Sequence, residues 1–402
     1  MNDSTTATPA RVARQPDAIR DLVLYFLRLG ALGFGGPVAL VGQMERELVD
    51  GKKWLGKAEM RDAIAVCQSL PGPLAIQVGI FISYLRGGFW GAWAGGWAFI
   101  LPNFLIVTAF AAAYVEFGSL SWMNAVFYGV CPAVIALILH SCWRLARLGM
   151  EDWLQWALAA AAFAITLAFQ TEVAVVFIGA GSVGVLYYGT LFRKAGPTAA
   201  LAISAGAAPS AASVPMAGGA SLPKLLLFFL KAGSLTFGSG LVIVPFLEKG
   251  LVQESGWLDG RQFLVAVAIG MLSPGPVVIT ATFVGYLVAG FSGAAVSTVG
   301  IFLPSFMLVL IVAPILIRHR RNPNVQGFVR GAYAAAIGTI LGASILLGKI
   351  AIGDWLTAAV GLASLGALFG TKKVSNPMLM AATAVIGLLA FPLLQPDWVL
   401  VK

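Results

Sequence analysis

From Gln262 to Ile317 the chain carries no charged residue, and Ala63–Leu85, Gly87–Val115 and Phe117–Trp143 are likewise uncharged. A membrane span needs about 20 mostly apolar residues, so the first of these stretches is long enough for two. Only 11% of the 402 residues are charged, against about 25% in a soluble chain, and water cannot be the main solvent. The sequence is therefore predicted to be an all-α polytopic membrane protein. Its net charge of +9 sits in short loops between apolar segments, where it reads as a topology signal rather than a nucleic-acid patch. Residues 1–21 form a polar, basic tail without the apolar core of a signal peptide. Cys67, Cys131 and Cys142 lie in apolar segments without CxxC spacing, and the chain has two histidines. No disulfide framework, metal site or cofactor is expected.

An internal repeat narrows the architecture. YFLRLGALGFGGPVAL, from Tyr25, matches FFLKAGSLTFGSGLVI, from Phe228. A shift of 203 pairs Arg28 with Lys231, Gly35 with Gly238, Glu45 with Glu248 and Trp54 with Trp257. The same shift pairs Pro71-Gly72-Pro73 with Pro274-Gly275-Pro276. Leu101-Pro102-Asn103-Phe104 then meets Leu303-Pro304-Ser305-Phe306 at a shift of 202, one residue having been lost. Twelve span-like segments divide into a first repeat over 22–192 and a second over 224–402. Residues 193–223 form a linker or a weak thirteenth span.

Basic residues decide how the copies are oriented. If the linker crosses and the N-terminus is cytoplasmic, sixteen Lys and Arg lie inside and eight outside; if it does not cross, the split is eleven to thirteen. An inverted repeat is therefore expected. One loop resists this tally: Glu45–Asp62 carries Arg46, Lys52, Lys53, Lys57 and Arg61 on the outer side. The first segment thus either crosses or re-enters.

The chemistry is expected where helices break. Gly33–Pro37, including Gly35 and Gly36, interrupts the first segment of one half, and Gly238-Ser239-Gly240 its counterpart. Pro71-Gly72-Pro73 and Pro274-Gly275-Pro276 break the next segment of each half. Proline removes an N–H, and glycine tolerates the dihedrals that result. Paired breaks in inverted repeats point to a transporter's central site, where helix N-termini favour an anion. Arg28 and Lys231 stand about one turn before the glycine breaks, and intramembrane cations are functional candidates. Ser69 and Ser273 adjoin the Pro-Gly-Pro motifs and Ser239 lies within its break; with Gln43, Gln68, Gln77, Thr280 and Thr282 they are candidate hydrogen-bonding groups. Asn103 and Ser305 are further ones. Glu45 and Glu248, at segment ends, are the candidates for proton coupling.

The FLRLGALGFGGP run, the stretch from QMERELVD to Trp54, QSLPGPLA, and the second-half FGSG and SPGP motifs resemble the long, two-domain members of the chromate ion transporter family. The resemblance spans roughly Tyr25–Pro396. It implies an inner-membrane exporter of chromate, driven by the proton-motive force, with antiparallel homologous halves. The partners it implies are chromate or sulfate, protons and the lipid bilayer, with a homodimer as candidate assembly. A sulfate or other oxyanion permease is the alternative. A lipid-modifying enzyme would carry intramembrane Asp, His or Ser-base groups, which these spans lack, and a channel is the third class.

Overall fold

The computed structural model describes residues 18–33, 36–68, 70–117, 121–169, 173–189, 221–235, 240, 243–312, 322–370 and 374–394. Among them no strand forms. In the first half, α1 (Ala18–Leu32) stops at the glycine run. Helix α2 (Gly36–Met44) then continues through a π-helical turn, Glu45–Gly51, back to the level at which α1 began. Two ring contacts fix this reversal: Trp54 lies edge-on to Tyr25 at 5.6 Å, and the Arg86 guanidinium is 4.3 Å from the Trp54 ring.

Helix α3 (Lys57–Gln68) rises to Pro71-Gly72-Pro73. Helix α4 (Leu74–Phe117) descends from there to Gly88, whose φ of 66° and ψ of −155° reverse the chain. Its second arm, 89–117, returns past the break, and α5 (Ser121–Gly149), α6 (Trp153–Phe169) and α7 (Val173–Tyr188) complete the half. The tight α4 turn depends on small residues: a methyl group on Gly91 would press on the Ser83 carbonyl at 2.6 Å.

The second half repeats the plan with α8 (Leu222–Leu235), α9 (Ile243–Glu248, extended by a π-helical Lys249–Glu254) and α10 (Gly260–Leu272). A 3₁₀ turn, Val277–Ile279, leads into α11 (Thr280–Met307), followed by α12 (Pro323–Ala351), α13 (Trp355–Gly370) and α14 (Asn376–Leu394). Asp259 caps α10 through a reciprocal box with Gln262, which sets its first turn. Gly290 (φ 61°, ψ −152°) reproduces the reversal at Gly88. These glycines are 202 residues apart and the Pro-Gly-Pro motifs 203, so the lost residue falls in the arm between tip and reversal. The 3₁₀ turn explains how the shorter arm still reaches. Three residues at about 2.0 Å rise gain about 1.5 Å over α-helix, the rise of one residue.

The copies are inverted. Along α5 and α12, Glu151 pairs with Arg330 at 3.2 Å, Tyr333 donates to the Leu145 carbonyl at 3.0 Å, and Cys142 Sγ donates to the Ile337 carbonyl at 3.5 Å. Gly348 then sits beside Ile135. Numbers fall on one helix as they rise on its counterpart. We call the end holding Glu151 and Arg330 the lower end; Gly260 meets Ile350 at the upper end. First-half hairpins open at the lower end and second-half hairpins at the upper.

Among the described residues, five helices are long and apolar enough to cross a membrane by length and composition: 74–117, 122–147, 277–311, 326–351 and 376–394. Of the twelve span-like segments, the first of each half (22–44 and 225–247) re-enters rather than crosses, 63–85 does not cross either, and 263–287 reverses at its Pro-Gly-Pro in the same way. Helices of 12 to 15 residues rise about 18–22 Å, short of a hydrocarbon core of about 30 Å. This corrects the crossing tally and accounts for the resisting loop. Arg46, Lys52, Lys53, Lys57 and Arg61 join Arg20, Arg86, Arg144, Arg147 and Arg330 towards the lower end, while Lys224, Lys249, Arg261 and Lys349 lie towards the upper. Most of the stretch expected as linker, 193–220, lies outside the described residues, as does the tail through residue 17.

A labelling experiment checks this topology. With the native cysteines replaced by alanine, single cysteines at Lys53 and Ser255 are expected to react with an impermeant thiol reagent from opposite sides of the membrane. Labelling of both from one side would contradict the inverted hairpins.

Candidate functional site

The first half's glycine break and the second half's Pro-Gly-Pro meet where the halves cross. The Gly275 N–H donates to the Gly33 carbonyl at 2.7 Å, tying the second half's Pro-Gly-Pro tip to the first half's glycine break. Gly33 directly follows α1, and carbonyls at a helix C-terminus have no partner within the helix. Gly275 reaches it with φ of 89°, and Gly72 has φ of 132°; both values favour glycine. Pro274, Gly275, Pro276, Gly72 and Pro73 are buried and Pro71 half-buried. The tips also make reciprocal contacts. A methyl group on Gly72 would lie 2.7 Å from Ser305 Oγ, and one on Gly275 would lie 2.9 Å from Asn103 Nδ2. Each Pro-Gly-Pro therefore rests against the Leu-Pro-Asn/Ser-Phe segment of the opposite half, beside which Phe306 stacks on Trp93 and Trp97 at 4.7 and 5.4 Å.

The polar side chains divide into two groups. Thr280 donates to the Val277 carbonyl at 2.9 Å, Ser273 to the Gly270 carbonyl at 3.2 Å, and Thr282 pairs with Thr298 at 2.7 Å. Their hydrogens are committed to the helices that carry them. Gln77 donates from Nε2 to the Pro71 carbonyl at 2.6 Å, pinning the first tip. By contrast, Gln77 Oε1, both amide atoms of Asn103 and Ser305 Oγ are buried without a hydrogen-bond partner among the described residues. All three side chains are 0% exposed. An unpaired buried polar group costs about 1–3 kcal/mol, so three beside the tips mark a place built for something polar.

Arg28 and Lys231 do not enter this buried crossing. Arg28 is exposed and shares its stripe of α1 with Leu24 and Leu32, which are 56% and 66% exposed. Positions four apart lie on one helix face. Lys231 is exposed beside Leu227, its Nζ 5.8 Å from the Phe246 ring. Glu45 is exposed, whereas Glu248 is 8% exposed and accepts from Gln253 Nε2 at 2.9 Å. Gly36 opens α2, and Gly240 is buried against Val277 and Val278. Gly35, Ser69, Gly238 and Ser239 lie outside the described residues. No His/Cys/Asp/Glu cluster able to hold a metal occurs among the described residues. Sequence reasoning ended segments beside Gly88 and Gly290, but missed that the chain also turns back at each Pro-Gly-Pro; the basic loop after Glu45 was the available signal.

Re-entrant half-helices, broken in matching positions of an inverted repeat and meeting at a polar crossing, define the class of membrane protein built around a central site. The chain belongs to the chromate transporter family. The family model described as "Chromate transporter" matches twice, at residues 20–185 and 223–388. A "Chromate transport protein" of Cupriavidus metallidurans is 44% identical, over 97% of this chain and 98% of its own length. A "Probable chromate transport protein" of Synechococcus elongatus is 41% identical, over 92% of this chain and 95% of its own. A "Chromate transport protein" of Pseudomonas aeruginosa is 32% identical, over 97% and 96%. No solved structure matches the chain.

Proposed function

We propose that the chain exports chromate, a tetrahedral oxyanion, across the bacterial inner membrane under the proton-motive force. The observation carrying this reading is the bond between Gly275 and Gly33, which joins the breaks of two inverted halves beside unpartnered polar side chains. Helical arms begin at this depth at Gly36, Leu74 and Val277, and the first amides of an arm favour negative charge. The relatives' names supply the anion. Among the described residues, ten basic side chains towards the lower end against four towards the upper support a cytoplasmic lower end. Rocking one half against the other about the crossing would expose it to each side in turn.

Exposed one turn from the breaks, Arg28 and Lys231 add positive charge on the approach. Glu248, the buried member of the glutamate pair, is the stronger candidate for coupling. Everted vesicles carrying Arg28→Gln and Lys231→Gln together are expected to take up labelled chromate several-fold more slowly at low substrate. Undiminished uptake by inserted double mutants would remove both cations from the mechanism. Lack of chromate accumulation by wild-type vesicles under any energisation would refute export itself.

A further inference from the structure

We propose that a single tetrahedral oxyanion binds between Asn103 and Ser305, with Asn103 as its dominant ligand. The inference rests on the transport reading above and adds the ligands and the number of sites. The two residues are equivalents in the repeat, each following a proline, Pro102 or Pro304, within α4 and α11. Both are 0% exposed. Each faces the opposite half's Pro-Gly-Pro tip, Asn103 at Gly275 and Ser305 at Gly72. Thr282 pairs with Thr298 at 2.7 Å across the second-half hairpin, so seven residues further along each arm the Gly275 tip comes opposite Ser305, and Gly275 in turn packs on Asn103; the same tip thus brings the two side chains towards one place.

Hydrogen-bond supply points the same way. Several buried hydroxyls elsewhere in this protein are satisfied by their own helix, as at Thr339 with the Ala336 carbonyl and Ser344 with the Ile340 carbonyl, whereas Tyr25 Oη and Thr108 Oγ1 are not. Ser83 and Ser297 are unpartnered too, but each fills the gap above a glycine, Gly95 or Gly285, inside one hairpin. Asn103 has no such packing partner in its own half, and both of its amide atoms are unused. Its amide offers two N–H donors and the Ser305 hydroxyl offers one. A tetrahedral oxyanion presents four acceptors, so it takes all three. The supply is unequal although the fold is symmetric, and that inequality makes Asn103 dominant. Neutral donors hold an anion without the grip of a buried ion pair, which suits a site that must release what it binds.

The test uses full-length protein in lipid nanodiscs and equilibrium dialysis against radiolabelled chromate. One chromate per chain is expected. Asn103→Ala should weaken binding about tenfold or more, and Ser305→Ala about threefold. Asn103→Leu, which keeps the volume, should also weaken binding, yet the empty variant should melt no lower than the empty wild type, because it removes an unpaired amide. Two chromates per chain, equal losses from Asn103→Ala and Ser305→Ala, or a lower-melting Asn103→Leu variant with unchanged affinity would each overturn the proposal. A folded wild-type protein that binds no chromate would instead overturn the transport reading on which it rests.

Discussion

Gly275→Val is expected to reduce the initial rate of chromate uptake by everted vesicles more than tenfold. Two costs combine at this position. A φ of 89° carries a penalty of about 1–2 kcal/mol for a side-chain-bearing residue, greater for a β-branched one. The new Cβ also lies 2.9 Å from Asn103 Nδ2, so relief requires moving either the tip or the amide. Both movements disturb the bond from Gly275 to Gly33. Gly256→Val separates the two costs, because Gly256 also has positive φ (59°) but nothing within 4 Å of its Cβ position. That variant should insert less well at worst and transport at a rate near normal per inserted molecule. Equal impairment of the two variants, per inserted molecule, would mean that the tip has no special role.

Asn103→Asp should have the larger effect on binding. The change is nearly isosteric, but it replaces two N–H donors by a carboxylate beside the anion. Two like charges about 4 Å apart repel by about 4 kcal/mol at an effective dielectric of 20, roughly a thousandfold in affinity. The sign of the pH dependence follows. A protonated aspartic acid has a neutral donor at that position, so binding by the variant should recover as pH falls, while Asn103→Leu should show no such recovery. Chromate dialysis across a pH series measures this. Affinity of Asn103→Asp that is close to wild type at neutral pH would remove Asn103 from the site.

The duplication and its inversion were legible because they are written in register and charge. Arg28 with Lys231 and the two Pro-Gly-Pro motifs hold one shift, and loop cations follow the membrane's sidedness. The hairpins were not legible from hydropathy. Residues 63–85 are apolar over a span's length, yet α3 and the first arm of α4 are separate rods, and apolarity records depth without direction. Only the five cations after Glu45 marked the return, and they were visible as a misfit.

The site divided similarly. The Pro-Gly-Pro motifs stood out because proline and glycine constrain backbone, whereas the choice of Arg28 and Lys231 rested on their charge and their matching places in the repeat. The stripe Leu24, Arg28, Leu32 already had the spacing of one helix face, but which face turns inward is decided by packing against Phe99 and Phe26's neighbours, and that is a tertiary fact. Asn103 carried little signal in sequence because a single amide in an apolar run is usually a packing contact. Its importance comes from what it lacks in the folded protein.

The bond from Gly275 to Gly33 also has a consequence for synthesis. Its two ends are 242 residues apart in the chain. At about 5–20 residues per second, a ribosome needs roughly 12–48 s to make the second after the first. Throughout that interval the end of α1 sits in the nascent first half with its carbonyl still waiting for a donor from a hairpin that has not been made. Water, lipid headgroups or the insertion machinery must shelter it meanwhile. The emerging chain therefore passes through a defined period in which its first half is threaded but unfinished, and in that period membrane quality control has most to recognise.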